Sequence, residues 1–219
     1  MSGSKRIFIS RKLASDSPIR KLANGHYIKD QSLIHFSPLD FEPPETDWVF
    51  FYSRNAVRFF FEGSNLELYP YQYACMSTGT AEELAKHVLD ISFVGNGKPE
   101  EVTQLFQETR KQHEPVCFIR PNNSVDSVHN LLKSENTFSI PVYDNQPIEE
   151  IPTEDFDILI FTSPMNVDAW FRKNKYVDQA VIAIGKTTES AVRKFVDEEI
   201  LVANEPSEYG ISKLLLELV

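Results

Sequence analysis

The sequence predicts an α/β protein of two similar lobes, each built on a parallel sheet, and three observations carry that prediction. Short apolar runs alternate with helix-like segments along the whole chain, the pattern of parallel strands joined by crossover helices. One unit stands out, Asp157-Ile158-Leu159-Ile160-Phe161 followed by Thr162-Ser163-Pro164-Met165-Asn166-Val167. Four consecutive apolar residues broken by Thr-Ser-Pro read as a strand buried on both faces, with Ser163 as N-cap and Pro164 at the first helical position. The third observation is that this unit occurs twice.

Its twin is Asp47-Trp48-Val49-Phe50-Phe51-Tyr52-Ser53-Arg54-Asn55-Ala56-Val57, at a constant offset of 110 that sets Asp47 opposite Asp157, Ser53 opposite Ser163 and Val57 opposite Val167. Downstream, Thr80 falls on Thr188 at an offset of 108, and upstream Arg11 falls on Arg120 at 109. These offsets are close to half of the 219 residues, so the chain reads as a tandem duplication. Two modest cores are therefore expected rather than one large one.

In order, Lys5 to Ser10 is the first strand, and Ser17-Pro18 opens a helix that Asn24-Gly25 stops. His26 to Ile28 is a weaker strand, and Ile34 to Leu39 is a short crossing segment bounded by proline. After the Asp47 unit, Glu67 to Gln72 leads into a strand over Tyr73 to Met76, a turn Ser77-Thr78-Gly79-Thr80 and a helix over Ala81 to His87. Ile91 to Val94 is a strand, and Pro99 opens a helix to about Lys111. Val116 to Ile119 is a strand, Pro121 to Ser124 caps a helix over Val125 to Ser134, and Ser139 to Asp144 crosses back. The Asp157 unit follows, with a helix to about Asn174 and a strand over Ala180 to Ile184. Gly185-Lys186-Thr187-Thr188 then turns into a helix from Glu189, Leu201 to Ala203 is the last strand, and Ser207 caps the closing helix.

Composition excludes several classes. The formal net charge of −10 and pI near 5.0 argue against nucleic acid as a partner, because neutralising phosphates needs a basic face. No apolar run approaches membrane-spanning length and no secretory pattern opens the chain, so neither a membrane nor export is expected. Cys75 and Cys117 lie inside apolar runs as small buried hydrophobes, compatible with a cytoplasmic location. The histidines show no metal-ligand spacing, and Gly185-Lys186-Thr187-Thr188 lacks the earlier glycine of a phosphate-binding loop.

What converges is a set of strand carboxyl ends: Arg11, Ser53, Thr80, Arg120, Ser163, and Lys186, Thr187 and Thr188. Ligands of open parallel sheets bind outside those ends, where helix N–H groups lack partners. Two lobes facing one another would present two such rows across a cleft, suited to a large ligand with several carboxylates. Each hydroxyl also serves as a helix cap, and Arg11 and Arg120 serve equally as surface ion-pair partners.

The motifs Phe161-Thr162-Ser163-Pro164-Met165-Asn166-Val167 and Ala183-Ile184-Gly185-Lys186-Thr187-Thr188, the earlier copy Phe51 to Val57, and Val142-Tyr143 together resemble the uroporphyrinogen-III synthase family. The sequence departs from it at Arg54, where the first copy often has proline, and at Ser77, where a glycine is usual. The resemblance implies flavodoxin-like or Rossmann-like domains at residues 1–35 plus 145–219 and at residues 36–140, with a two-stranded connector near 34–39 and 139–144. It implies a cyclising hydro-lyase of heme biosynthesis that converts hydroxymethylbilane, a linear tetrapyrrole with eight carboxylates, into uroporphyrinogen III with loss of water and inversion of ring D. No cofactor or metal is implied, and the expected protein is a cytoplasmic monomer with the upstream hydroxymethylbilane synthase as a possible partner. Tyr143 becomes the candidate for the departing hydroxyl. Main-chain N–H groups from Ser163 through Met165 to Asn166, and from Lys186 to Thr188, become candidates for substrate carboxylates. The rival reading is a non-catalytic two-lobe module that binds a polycarboxylate; a different small-anion enzyme on the same sheet is a third, since fold alone does not fix function.

Overall fold

A computed structural model of the chain describes residues 3–63, 70–123, 126–132 and 136–219. The elements begin with β1 (Arg6–Ile9), α1 (Pro18–Leu22), β2 (Tyr27–Asp30), β3 (Ile34–Pro38), β4 (Trp48–Phe51), α2 (Arg54–Gly63), β5 (Gln72–Cys75) and α3 (Thr78–Leu84). Next come β6 (Phe93–Val94), α4 (Pro99–Thr109), β7 (Val116–Pro121), α5 (Ser127–Leu132) and β8 (Thr137–Pro147). The chain closes with β9 (Ile158–Phe161), α6 (Pro164–Phe171), β10 (Ala180–Ala183), α7 (Lys186–Val192), β11 (Ile200–Val202) and α8 (Glu208–Leu215).

The chain forms two compact units, residues 1–35 with 146–219 and residues 36–145. The first holds a five-stranded sheet in the order β11-β10-β9-β1-β2; the six-stranded sheet of the second runs β3-β8-β7-β4-β5-β6. β1, β2, β9, β10 and β11 pair in parallel, as do β4 to β8. Read from β2, the first sheet has the flavodoxin-like order 2-1-3-4-5. Without β3, the second has the same succession of neighbours, entered at a different strand.

Strand alternation builds a core on both faces of each sheet. Ile7 and Ile9 face one layer of the first unit with Ile158, Ile160 and Ile211, while Phe8 faces the other with Leu159, Phe161, Val167 and Trp170. In the second unit Val49 and Phe51 pack with Val57, Phe60 and Cys117, and Trp48 and Phe50 with Phe106, Phe118 and Val128. Burial on two faces is why these strands read as unbroken apolar runs.

Several boundaries differ from the sequence reading. Ser77-Thr78-Gly79-Thr80 and Gly185-Lys186-Thr187-Thr188 are not turns ahead of helices; α3 begins at Thr78 and α7 at Lys186. Glycine and β-branched threonine lower helix propensity, but the burial of Thr80 and Thr188 and the tie of each segment to its strand override it. β8 spans Thr137–Pro147, beyond both ends of the crossing expected at Ser139 to Asp144; it pairs with β7 from Val116↔Thr137 to Pro121↔Tyr143, and β3 is its other neighbour. α6 stops at Phe171 rather than Asn174, and β6 holds only Phe93 and Val94. The expected lead-in over Glu67 to Tyr69 lies outside the described residues, as do Ser124, Val125, Lys133 and Ser134 at the ends of the helix expected between them.

The buried thiols are free, and burial pushes Cys75 up to about 11 and Cys117 up to about 12 from the usual 9.0. Below pH 9 both are protonated folded and unfolded. Above it the unfolded thiols release protons that the folded ones keep, so stability falls as pH rises, by about 1.4 kcal/mol per pH unit per thiol until the folded pKa is reached. Urea midpoints measured between pH 8.5 and 10.5 should therefore decline, and Cys75→Ala with Cys117→Ala should flatten the decline. An equal slope in the double variant would refute this.

Candidate functional site

In the second unit the carboxyl end of β4 feeds α2 through Ser53, whose Oγ accepts from the Ala56 N–H at 3.1 Å in the manner of an N-cap. The same Oγ lies 3.3 Å from the Tyr143 hydroxyl. Tyr143 sits on β8 with 4 % of its surface exposed, stacked on Phe59 with ring centroids 4.9 Å apart and tilted against Phe36 at 6.0 Å. Burial raises the Tyr143 pKa above the usual phenol value, partly offset by the Ser53 contact. Two candidates 90 residues apart thus meet in one hydrogen-bonded pair. Nothing in their spacing signals the contact, because it depends on β8 lying beside β7 and β7 beside β4.

The other candidates of this unit are committed to the fold. Thr80 is buried, with its hydroxyl 3.2 Å from Ser77 Oγ and its N–H on the Ser77 carbonyl. Arg120 Nε lies 2.9 Å from the Asp126 carboxylate and 3.0 Å from Ser139 Oγ, and its Nη1 donates to the Pro121 and Asn122 carbonyls. Of the two roles open to Arg120, the ion pair is the one this geometry displays. Arg54, outside the candidate set, reaches across to donate from Nε to the Gly79 carbonyl at 2.9 Å.

In the first unit Ser163 caps α6 as the sequence indicates, accepting from the Asn166 N–H at 3.3 Å and from the Asn166 side-chain amide at 2.8 Å. Asn166 is itself buried and its Oδ1 accepts from the Leu33 N–H at 2.7 Å. Pro164 has no N–H, so the donors of this helix start are fewer than the motif suggests. Met165 is half-buried against the aromatic layer. Thr188 is buried with its N–H on the Gly185 carbonyl, whereas Lys186 and Thr187 are exposed. Glu189 shares their helical turn, 3.9 Å from Lys186 Nζ.

The exposed Arg11 guanidinium is 4.0 Å from Glu208, whose other oxygen accepts from Ser17 Oγ at 2.5 Å. Nearby, Asp30 accepts from the Leu13 N–H and pairs with Arg20 and Lys12. Burial raises its pKa, but these three partners together hold it below the usual value. Where strand order reverses, between β1 and β9, Ser10 and Thr162 close three mutual hydrogen bonds of 2.8 to 3.2 Å. That point of the sheet, favoured for ligands in open α/β folds, is laced by the chain's own hydroxyls, a feature the sequence reading missed. Among the described residues no group of three His, Cys, Asp or Glu is placed to hold a metal, and no helix is long and apolar enough to cross a membrane.

Fold and site define a class: a two-unit, flavodoxin-like α/β protein whose candidate groups are hydroxyls and arginines at strand carboxyl ends. The family model described as HEM4, Uroporphyrinogen-III synthase HemD, matches residues 22–213, and the chain belongs to that family. Among solved structures, the uroporphyrinogen-III synthetase of Helicobacter pylori is 21 % identical with a TM-score of 0.72, covering 98 % of this chain and 100 % of that one. A mutant uroporphyrinogen III synthase from the extremely thermophilic bacterium Thermus thermophilus is 18 % identical with a TM-score of 0.64, covering 99 % and 100 %. At these identities the structures speak for the fold. No curated protein sequence gives a significant match.

Proposed function

We infer that the protein is a uroporphyrinogen-III synthase, cyclising hydroxymethylbilane with loss of water and inversion of ring D. The observation that carries this is the family match over residues 22–213. The same match does not favour the non-catalytic module. The reaction needs little from side chains: the electron-rich pyrroles stabilise the azafulvene left when the hydroxyl departs, and the enzyme holds a flexible chain in the geometry that forms the spiro intermediate.

Tyr143 is the group we assign to the departing hydroxyl. Ser53 Oγ already accepts from Ala56, so its own proton can be donated to Tyr143 Oη, leaving the phenol proton for the substrate oxygen. A phenol whose pKa is raised by burial acts here as a hydrogen-bond donor throughout the neutral range. Substrate carboxylates are taken by Arg11 and the first-turn N–H groups of Lys186 and Thr187 in one unit, and at the starts of α2 and α3 in the other. Ser163, Asn166, Thr80, Thr188 and Arg120 then shape these ends from beneath.

The finer readings belong with this proposal. The matching succession of strands supports an origin by tandem duplication, with β3 and β8 as the connector between domains. The enzyme is classed as a hydro-lyase and works as a cytoplasmic monomer without a cofactor. Because hydroxymethylbilane also closes spontaneously to the type I isomer, direct receipt from hydroxymethylbilane synthase would be of use. The test is to supply hydroxymethylbilane from that synthase, oxidise the products and separate type I from type III porphyrin. Type III in excess over the enzyme-free control is the expected result; type I alone would refute the assignment.

A further inference from the structure

We propose that Arg54 binds a substrate carboxylate at the start of α2, an inference that rests on the activity proposed above. Arg54 directly follows Ser53, the hydrogen-bond neighbour of the Tyr143 hydroxyl, and is the first residue of the ten-residue helix α2. A cation at a helix start is opposed by the helix dipole, which favours acids there. α4, with Glu100 and Glu101 in its first turn, and α8, with Glu208, follow the rule, and α7, which also opens on a cation at Lys186, sets Glu189 in the same turn against it. α2 has no acid in its first turn and carries a guanidinium instead.

Among the described residues no ion pair involves Arg54, which it shares with Arg6, Arg58, Arg110 and Arg172, whereas Arg11, Arg20, Arg120 and Arg193 each face a carboxylate. The Arg54 side chain makes one hydrogen bond among the described residues, from Nε to the Gly79 carbonyl, which orients the fork and leaves Nη1 and Nη2 for a planar anion. Gly79 makes room for it: a Cβ there would stand 2.8 Å from Arg54 Nη2. The backbone does not require that glycine, since the positive-φ glycines are Gly25 and Gly97. An exposed cation at this helix start, without an ion pair among the described residues, is opposed by the helix dipole, and an arriving carboxylate offsets that opposition.

The test compares wild type, Arg54→Ala, Arg54→Lys, Gly79→Ala and the Arg54→Ala/Gly79→Ala double variant, with hydroxymethylbilane supplied by its synthase. Arg54→Ala is expected to raise KM by about tenfold, the loss of one charge-assisted hydrogen bond, with kcat little changed and a melting temperature equal to or above wild type. Arg54→Lys, which keeps the charge but not the fork, should be intermediate. Gly79→Ala should raise KM by displacing the guanidinium, yet add nothing in the Arg54→Ala background. An unchanged KM in Arg54→Ala, or a lowered melting temperature with kcat falling instead, would make Arg54 a structural pin and overturn the inference. Type I product alone from wild type would instead fault the activity on which it rests, and the inference would fall with it.

Discussion

Replacing Tyr143 by phenylalanine is expected to lower the rate of uroporphyrinogen III formation on the order of a hundredfold while leaving the fold intact, the low end of what one positioned proton donor contributes. The ring is held by Phe59 and Phe36 rather than by its hydroxyl, so phenylalanine keeps the packing. Ser53 retains its cap on Ala56 and can turn its proton elsewhere. The loss should fall on kcat more than on KM, because the hydroxyl interacts with a group that changes during reaction. Spontaneous closure sets a floor, and slower enzyme should let the type I isomer accumulate beside type III. Unchanged turnover with intact type III selectivity would remove Tyr143 from the mechanism and leave positioning as the whole of catalysis.

The largest effect on stability is expected from Phe50→Ala. Phe50 is fully buried on β4, with ring centroids of Tyr52, Phe93, Phe106 and Phe118 between 5.1 and 6.5 Å away. Truncation removes the transfer energy of the ring and leaves a cavity whose walls are themselves rings held by strands and α4, so relaxation is limited. A loss of about 4 kcal/mol is expected, read as a fall in the urea midpoint. That is a large share of the marginal stability of a domain of this size. Val177→Ala, at a side chain standing well out into solvent, should change the midpoint by less than about 0.5 kcal/mol and serves as the control. A cost below about 1.5 kcal/mol for Phe50→Ala would mean that this aromatic layer is loosely packed.

Much of the fold was readable because burial on both faces leaves a signature that composition cannot hide. The runs at Trp48–Phe51 and Ile158–Phe161 could only be central strands, and the caps at Ser17, Ser163 and Ser207 announced the helices that follow. The starts of α3 and α7 were misread as turns because threonine and glycine are poor helix formers in isolation. Only the strand behind them and the core beneath Thr80 and Thr188 make the helical turn favourable. The same burial explains why a hydroxyl that looked poised for a ligand instead faces its own protein.

Individual groups at the candidate site could be named from the chain alone, since a strand end followed by a helix start defines its own geometry within a few residues. By itself the sequence determined the α/β class, the two sheets, the family and the short list of serines, threonines, arginines and the tyrosine. Which of them act together was decided only by tertiary structure. Ser53 meets Tyr143, Arg120 turns to Asp126, Asn166 to Leu33 and Arg54 to Gly79 across separations that no local pattern encodes. The physical reason is that a side-chain contact is set by strand order and register, and these follow from the packing of whole layers rather than from any one segment.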